Sequence, residues 1–474
     1  MSAEQWKGVR THCESEWDNT IVKTLSDYIE VPNQSPHYDA EWATNGLMMK
    51  AFNILTDWMK TQKIAGITHE MIEEPGRTPF LIIEVPATGP DASGKTCMMY
   101  GHMDKQPPLL PWDEGLHPYK PVYKDGKLYG RAGADDGYAI CAALTSTAAL
   151  QEQRIPHGRI VVLVEACEES GSFDLPHYIN LCKSRIGNVD LVVCLDSGAM
   201  NYEQLWLTTS LRGVTGGYLT IDTLREGMHS GVAGGVVPDT FQVLRIILDR
   251  IQDPVTGNIK IKELYCPIPD QVKKDYEPLR DIDFPGTFLT LPGVQLEGKD
   301  NVELGLRNFW GPSLTVIGAD LPATAKAGNV IRTQTKIKIS CRLPPLVKPS
   351  DASAALKREI ERDPPAGAKV HYDGDFAAAG WAPPLLKPWL EKALNVGSTE
   401  YWGKGLGCVG QGGSIPFMGM LGEMFPEAQF VVTGVLGPMS NAHGPNEFLH
   451  VPFGKGVTYC VARIAAAHYD SHQQ

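Results

Sequence analysis

No two of the ten cysteines form a C-x-x-C pair. Scattered singly, they predict reduced, mostly buried thiols in a cytoplasmic protein rather than a disulfide framework. No stretch of about 18 apolar residues occurs, so no segment is long enough to span a membrane. The opening stretch MSAEQWKGVRTHCESEWDNT lacks an apolar core flanked by basic residues, which predicts no secretory signal. Internal repeats, low-complexity tracts and long charge runs are also missing. Positive charge is scarce: 43 Lys and Arg stand against 55 Asp and Glu, for a net charge of -12. That balance, with no basic-aromatic cluster, argues against nucleic acid or an anionic membrane as partner, although a local basic cleft still suits an anionic substrate.

What is present reads as an ordinary globular chain, 43% apolar and 21% charged. Its 474 residues exceed one comfortable core, so two domains are expected. Val22, Leu25 and Ile29 share one helical face, and Leu47, Met48, Ala51, Phe52, Leu55, Trp58 and Met59 form a second stripe. Strands are predicted at 80–85, 96–100, 160–164 and 191–195, with a helix after Asp136. Several of these strands are unbroken apolar runs, as expected of a sheet covered by helices on both faces. From Leu211 the order becomes strand 214–221, helix 239–251, strands 313–317 and 336–343, helix 352–362 and strand 368–372. That is the ferredoxin-like β-α-β-β-α-β unit, here with an irregular Pro/Gly-rich insertion at 266–311. The α/β pattern returns from Leu386, with a helix at 389–394, the GQGGSIPF turn, a strand at 429–435 and a closing helix from Gly454. The expected fold is therefore α/β: a helix-flanked mixed sheet, residues 1–210 and 386–474, interrupted by an inserted α+β domain, residues 211–385.

Five segments look like strands that stop on a metal-seeking side chain. They are TCMMYGHMD (His102, Asp104), GRAGADDG (Asp135, Asp136), VVLVEACEES (Glu168, Glu169), LVVCLDSG (Asp196) and VVTGVLGPMSNAHGPNE (His443). Imidazole and carboxylate without thiolate suit a divalent cation such as Zn²⁺ or Mn²⁺. Five ligands and one further carboxylate are enough for two ions sharing a bridge, with one acid left for proton transfer. Ligands beyond the carboxyl ends of strands are where an open α/β sheet places its site. Any of these residues alone would be a hydrogen-bonded histidine or a solvated turn acid; their coincidence at strand ends points to metal-assisted hydrolysis.

Taken together, GHMD, GRAGADDG, EES and AHGPNE resemble the M20 family of co-catalytic metallopeptidases, nearest its carnosinase-like dipeptidase branch. The resemblance implies that His102 and Asp196 hold one metal, Glu169 and His443 the other, and that Asp135 bridges both. It makes Glu168 the general base and Asp104 the partner that orients His102. Adjacent acids in an extended segment face opposite ways, which also divides Glu168 and Glu169 between two roles. In the inserted lid and dimerisation domain, MHSGVAGG places His229 where dimeric members reach the neighbouring subunit's site and polarise the scissile carbonyl. Asn329 and Arg342 resemble substrate-carboxylate contacts, and Arg212 suits either that part or a structural ion pair. Gly412, Gly413 and Ser414 resemble a glycine turn that brings backbone N–H groups to the substrate.

Two departures stand out. The residue before GGSIP is usually acidic in the carnosinase-like branch and meets a free α-ammonium; here it is Gln411, which is neutral. The position after Asp135-Asp136-Gly137, commonly Lys, is Tyr138. The expected activity is hydrolysis of an amide next to a free carboxylate, in a dipeptide, by a homodimer with two divalent ions per subunit. An N-acyl-amino-acid amidohydrolase is the second reading, which Gln411 favours. A catalytically silent metal-binding protein of this fold is a third, opposed by the complete set of ligands and base.

Overall fold

The computed structural model of the chain describes residues 1–90, 93–288, 290–413 and 416–473. They form two compact units, one of Met1–Thr208, Pro383–Cys408 and Met420–Gln474, the other of Thr209–Ala382 and Val409–Gly419.

The first unit is built on a six-stranded sheet. Its spatial order is Thr68–Ile72, Phe80–Val85, Arg159–Glu165, Lys95–His102, Asn188–Cys194 and Gln429–Val432. The first two pairings are antiparallel and the remaining three parallel, which makes the sheet mixed. The central strands FLIIEV, TCMMYGH and RIVVLVE are buried along nearly their whole length, because helices cover both faces. The helix Tyr138–Glu152 packs on strands Lys95–His102 and Arg159–Glu165 and is buried on all sides from Tyr138 to Leu150. The helices Leu47–Thr61 and Val451–Ser471 bury the stripes that their apolar spacing predicts. Thr68–Ile72, an exposed edge strand, carries no apolar alternation and gave no signal in the sequence.

The second unit holds an antiparallel sheet ordered Ser313–Ala319, Gln334–Leu343, Gly213–Asp222 and Lys369–Ala378. Helices Thr240–Ile251 and Pro349–Glu361 close its core around Ile247, Ile339, Leu356 and Tyr372. Chain order and spatial order together are those of the ferredoxin-like unit. The insertion at 266–311 is less irregular than its Pro and Gly content predicts. It carries the helices Asp270–Asp275 and Asn301–Trp310. Asp300 starts the second of these by accepting the Glu303 N–H, and Phe309 and Trp310 bury its far end. No helix among the described residues is long and apolar enough to cross a membrane.

Gly101 sets how closely the His102 strand approaches the following helix. A Cβ there would lie 2.5 Å from Ala139 Cβ and 2.9 Å from Asp136 Oδ2. Overpacking of this kind costs about 1–3 kcal/mol. Gly101→Ala is therefore expected to lower unfolding stability by that amount in urea titration and to weaken whatever His102 binds.

Candidate metal centre

Each candidate residue of the first unit sits where a strand or its following turn ends. His102 closes the strand Lys95–His102, and its backbone N–H donates to Asp136 Oδ2 at 3.3 Å. Asp196 follows the strand Asn188–Cys194 by two residues. Glu168 and Glu169 stand after the strand Arg159–Glu165, but in a turn of 3₁₀ helix rather than in extended chain. The alternation argument for dividing their roles thus does not apply. Their N–H groups instead converge on one acceptor: Asp104 Oδ1 takes the Glu168 N–H at 3.1 Å and Oδ2 the Glu169 N–H at 3.0 Å.

Around this frame the donor atoms come together. His102 Nε2 lies 3.2 Å from Asp135 Oδ1 and 3.9 Å from Asp196 Oδ2. His443 Nε2 lies 2.9 Å from Asp135 Oδ2 and 3.2 Å from Glu169 Oε2. Asp135 is thus set between two imidazoles, one oxygen toward each. One donor atom each from His102, Glu168 and Asp196 fall within 4.8 Å of one another, and so do those of His102, Asp135 and Glu169. Asp104 Oδ1 faces the other imidazole nitrogen of His102 at 3.4 Å.

The electrostatics are those of a centre short of positive charge. Burial, then the charge of Asp196, raises the Glu168 carboxyl well above the usual carboxylate range. Burial also raises Glu169, with Asp135 adding to it, and raises Asp196. Burial pushes Asp135 up as well, but the two imidazoles outweigh it and hold its carboxyl below the ordinary value. Burial disfavours a charged His102, yet Asp104 and Asp135 prevail and raise its pKa well above normal. His443 is raised to about 11 against its own desolvation by Asp135 and Glu169. Five acids and two imidazoles crowded this closely are stabilised by a cation far more than by each other. The donor set, nitrogen and oxygen without sulfur, fits a divalent ion of the zinc or manganese kind.

Four residues around the centre support it. Arg131 Nη1 pairs with Glu447 Oε2 at 2.5 Å, both fully buried, while Glu447 Oε1 accepts the Ala132 N–H at 3.0 Å. Arg131 Nη2 also donates to the Gly444 carbonyl at 2.8 Å, directly after His443. This clasp joins the Asp135 loop to the His443 loop. Both residues lie inside the segments GRAGADDG and AHGPNE, but only the fold brings the two together. Gln106 Nε2 donates to Glu169 Oε2 at 2.7 Å, and nothing in the sequence marks it. Tyr138, in the place of the usual lysine, donates its hydroxyl to the Leu195 carbonyl.

The second unit brings its own candidates together in two groups. His229 and Asn329 are neighbours across the short pairing of Met228–His229 with Val330–Ile331, and the Asn329 carbonyl accepts the Ser230 N–H at 2.9 Å. His229 is exposed, and its Nδ1 accepts the Gly231 N–H at 3.0 Å, which leaves Nε2 as the donor in the neutral ring. In the other group Arg212 Nε donates to the Gly412 carbonyl at 3.1 Å. Burial lowers the Arg212 pKa to about 10, with the neighbouring charge of Arg342 adding to the effect, and burial lowers Arg342 too. Gly413 is exposed. Ser414 lies outside the described residues.

A helix-flanked sheet with an inserted ferredoxin-like unit and a carboxylate-imidazole centre beyond its strand ends defines a metal-dependent hydrolase. The chain belongs to Peptidase family M20/M25/M40, which residues 98–467 match. The resemblance carried by GHMD, GRAGADDG, EES and AHGPNE is borne out. Over 358 residues the chain is 27% identical to the cysteinylglycine-S-conjugate dipeptidase of Corynebacterium striatum, covering 76% of this chain and 78% of that one. Over 340 residues it is 29% identical to the Beta-Ala-His dipeptidase of Mus musculus, covering 68% and 64%. In fold it is similar to the solved dipeptidase Dug1p of Saccharomyces cerevisiae, with TM-score 0.76 at 21% identity over 99% of each chain.

Asp104 makes the most exact demand on this geometry. Asp104→Ala leaves two buried N–H groups and the outer nitrogen of His102 without their acceptor. Loss of such a supporting partner lowers metal affinity about 10–100-fold. The expected result is a shift of that size in a competitive chelator titration, with the fold retained by circular dichroism.

Proposed function

We propose that this protein is a dipeptidase that uses two divalent ions per subunit to cut an amide bond adjacent to a free carboxylate. The observation that carries this reading is Asp135, with one oxygen 3.2 Å from His102 Nε2 and the other 2.9 Å from His443 Nε2. His102 and Asp196 would hold one ion, Glu169 and His443 the second, with Asp135 between them available to both. Zn²⁺ is the ion we assign, with Mn²⁺ as the substitute the same donors accept. Ions held there would supply Lewis-acid polarisation of the scissile carbonyl and a water of lowered pKa.

The chain's own residues do the rest. Glu168 takes the proton from the attacking water and delivers it to the leaving amine. Its buried setting beside Asp196 keeps its carboxyl basic enough to accept that proton. Asp104 fixes the His102 ring and, through the two N–H groups it accepts, the attitude of Glu168 and Glu169. His229 donates from Nε2 to the oxyanion that develops on the carbonyl, a contact worth about 2.7–4 kcal/mol in comparable sites. That role needs a second subunit, so the working form is a homodimer. Arg342 takes the substrate's free carboxylate, and guanidinium geometry suits a bidentate hold, while Asn329, which the fold sets beside His229, acts with it from the second subunit. Gly412 and Gly413 offer backbone N–H groups along the substrate. All ten cysteines are free thiols, which suits a reducing cytoplasm.

Gln411 supports one second reading. A neutral side chain there forms no ion pair with an α-ammonium, and an N-acyl amino acid needs none. The deciding experiment strips the protein with chelator, reloads it with Zn²⁺ or Mn²⁺ and offers free dipeptides, their N-acetyl forms and their C-terminal amides. Metal-dependent cleavage of free dipeptides, lost on amidation, is the expected result. Cleavage of the N-acetyl compounds alone makes the protein a deacylase.

Glu168→Gln is expected to retain both ions and lose most turnover. Loss of an ion instead would exchange the roles of Glu168 and Glu169. Sedimentation during turnover should show a dimer; a fully active monomer rules out the part given to His229.

A further inference from the structure

At the other end of the first unit's sheet a second cluster of metal-seeking donors has formed. Asp190 lies near the start of the strand Asn188–Cys194, and His468 and His472 stand one turn apart at the end of the helix Val451–Ser471. His468 Nε2 is 2.7 Å from Asp190 Oδ1, and His472 Nε2 is 2.9 Å from Asp190 Oδ2. The two Nε2 atoms are 3.4 Å from each other. Asp190 precedes Asp196 by six residues of the same strand and its exit, so the cluster is about 20 Å from the candidate catalytic centre.

We propose that Asp190, His468 and His472 form a zinc site with one open coordination position. The spacing of two imidazoles four residues apart on one helical face is that of a metal-binding pair. Zinc bound tetrahedrally at about 2.0–2.1 Å from each donor separates those donors by about 3.3 Å. The imidazole pair already stands at 3.4 Å. The two carboxylate contacts, 2.7 and 2.9 Å, open by a few tenths of an ångström to admit the ion. The three side chains already converge through contacts of both Nε2 atoms with Asp190 and with each other, and an ion would take the place of the protons that those contacts share.

The surroundings fit an ion that is held rather than used. His468 is buried, with the Trp389 ring centroid 6.1 Å from its own, while His472 is half-buried and gives the ion a path to water. Lys95 is the one cation among the groups that depress the Asp190 carboxyl besides the two histidines, and it competes with the ion for that charge. The site joins the last turn of the closing helix to the opening of a central strand. Its occupancy therefore adds to the stability of the unit, rising with the logarithm of free zinc once that exceeds the dissociation constant.

The test compares the full chain with His472→Asn. Both are stripped with chelator, equilibrated with Zn²⁺ and passed through gel filtration before the bound zinc is counted by mass spectrometry. The wild type is expected to hold one more zinc per chain than the variant, with equal dipeptide hydrolysis as the check on folding. Added Zn²⁺ should also raise the thermal midpoint of the wild type more than that of the variant. Asp190→Asn, isosteric and neutral, repeats the comparison without touching the helix. Equal zinc counts in the wild type and either variant overturn the proposal.

Discussion

Asp104 holds the catalytic half of the molecule in register. It is fully buried two residues beyond His102, and its two oxygens take the N–H groups of Glu168 and Glu169 while one faces the His102 ring. The strand that ends at His102 and its parallel neighbour Arg159–Glu165 are thereby fixed to each other at the level of the centre. The loop after Asp104 is held just as firmly. Lys105, also buried, donates to the carbonyls of Tyr28 and Val31, each at 2.7 Å, and lies over the Tyr28 ring at 3.9 Å. Burial lowers the Lys105 pKa well below its ordinary value, and a polar group is tolerated there because its contacts are made. With both sides of the turn anchored, the imidazole has one available attitude.

The remaining donors are positioned by a different economy, in which like charges are brought together against their own preference. Glu168, Glu169 and Asp196 all have carboxyls raised by burial. Among the described residues the cationic groups set against them inside the centre are imidazoles, and the guanidinium of Arg131 stands one layer out. Arg131 is committed to Glu447 and to the Gly444 carbonyl, so it braces the loops and leaves the acids free for a cation. Such a buried pair contributes position rather than net stability, since desolvation offsets much of its attraction.

Much of this was legible in the sequence because its strongest signals coincide. Unbroken apolar runs such as FLIIEV and RIVVLVE mark strands covered on both faces, and each polar residue at their ends then becomes conspicuous. The second unit's order followed from alternation over 214–221, within the strand Gly213–Asp222, and from the helical run 239–251 after Pro238. Less visible were elements whose cause is tertiary. Thr68–Ile72 is a strand because Phe80–Val85 offers it an edge, not because THEMI alternates. The helix Ala3–Glu16 shows itself chiefly in its cap, where Ser2 and Gln5 bond reciprocally. The helix Asn301–Trp310 is signalled by Asp300 and Glu303 but lies among prolines and glycines that suggest a loop. The turn at Glu168–Ser170 is local geometry that the run of acids does not disclose. Arg131 and Glu447 were visible as letters and not as partners, since they are 316 positions apart.

The order in which these parts leave the ribosome matters as well. The strand Gln429–Val432 pairs with Asn188–Cys194, and His443 follows it, both after the whole inserted ferredoxin-like unit has been made. A nascent chain can close the inserted unit early, from contacts that are near in sequence. The first unit waits with a bare sheet edge and an unfinished cluster of acids until its last segment emerges. The cluster of acids is thus completed only once His443 has been made.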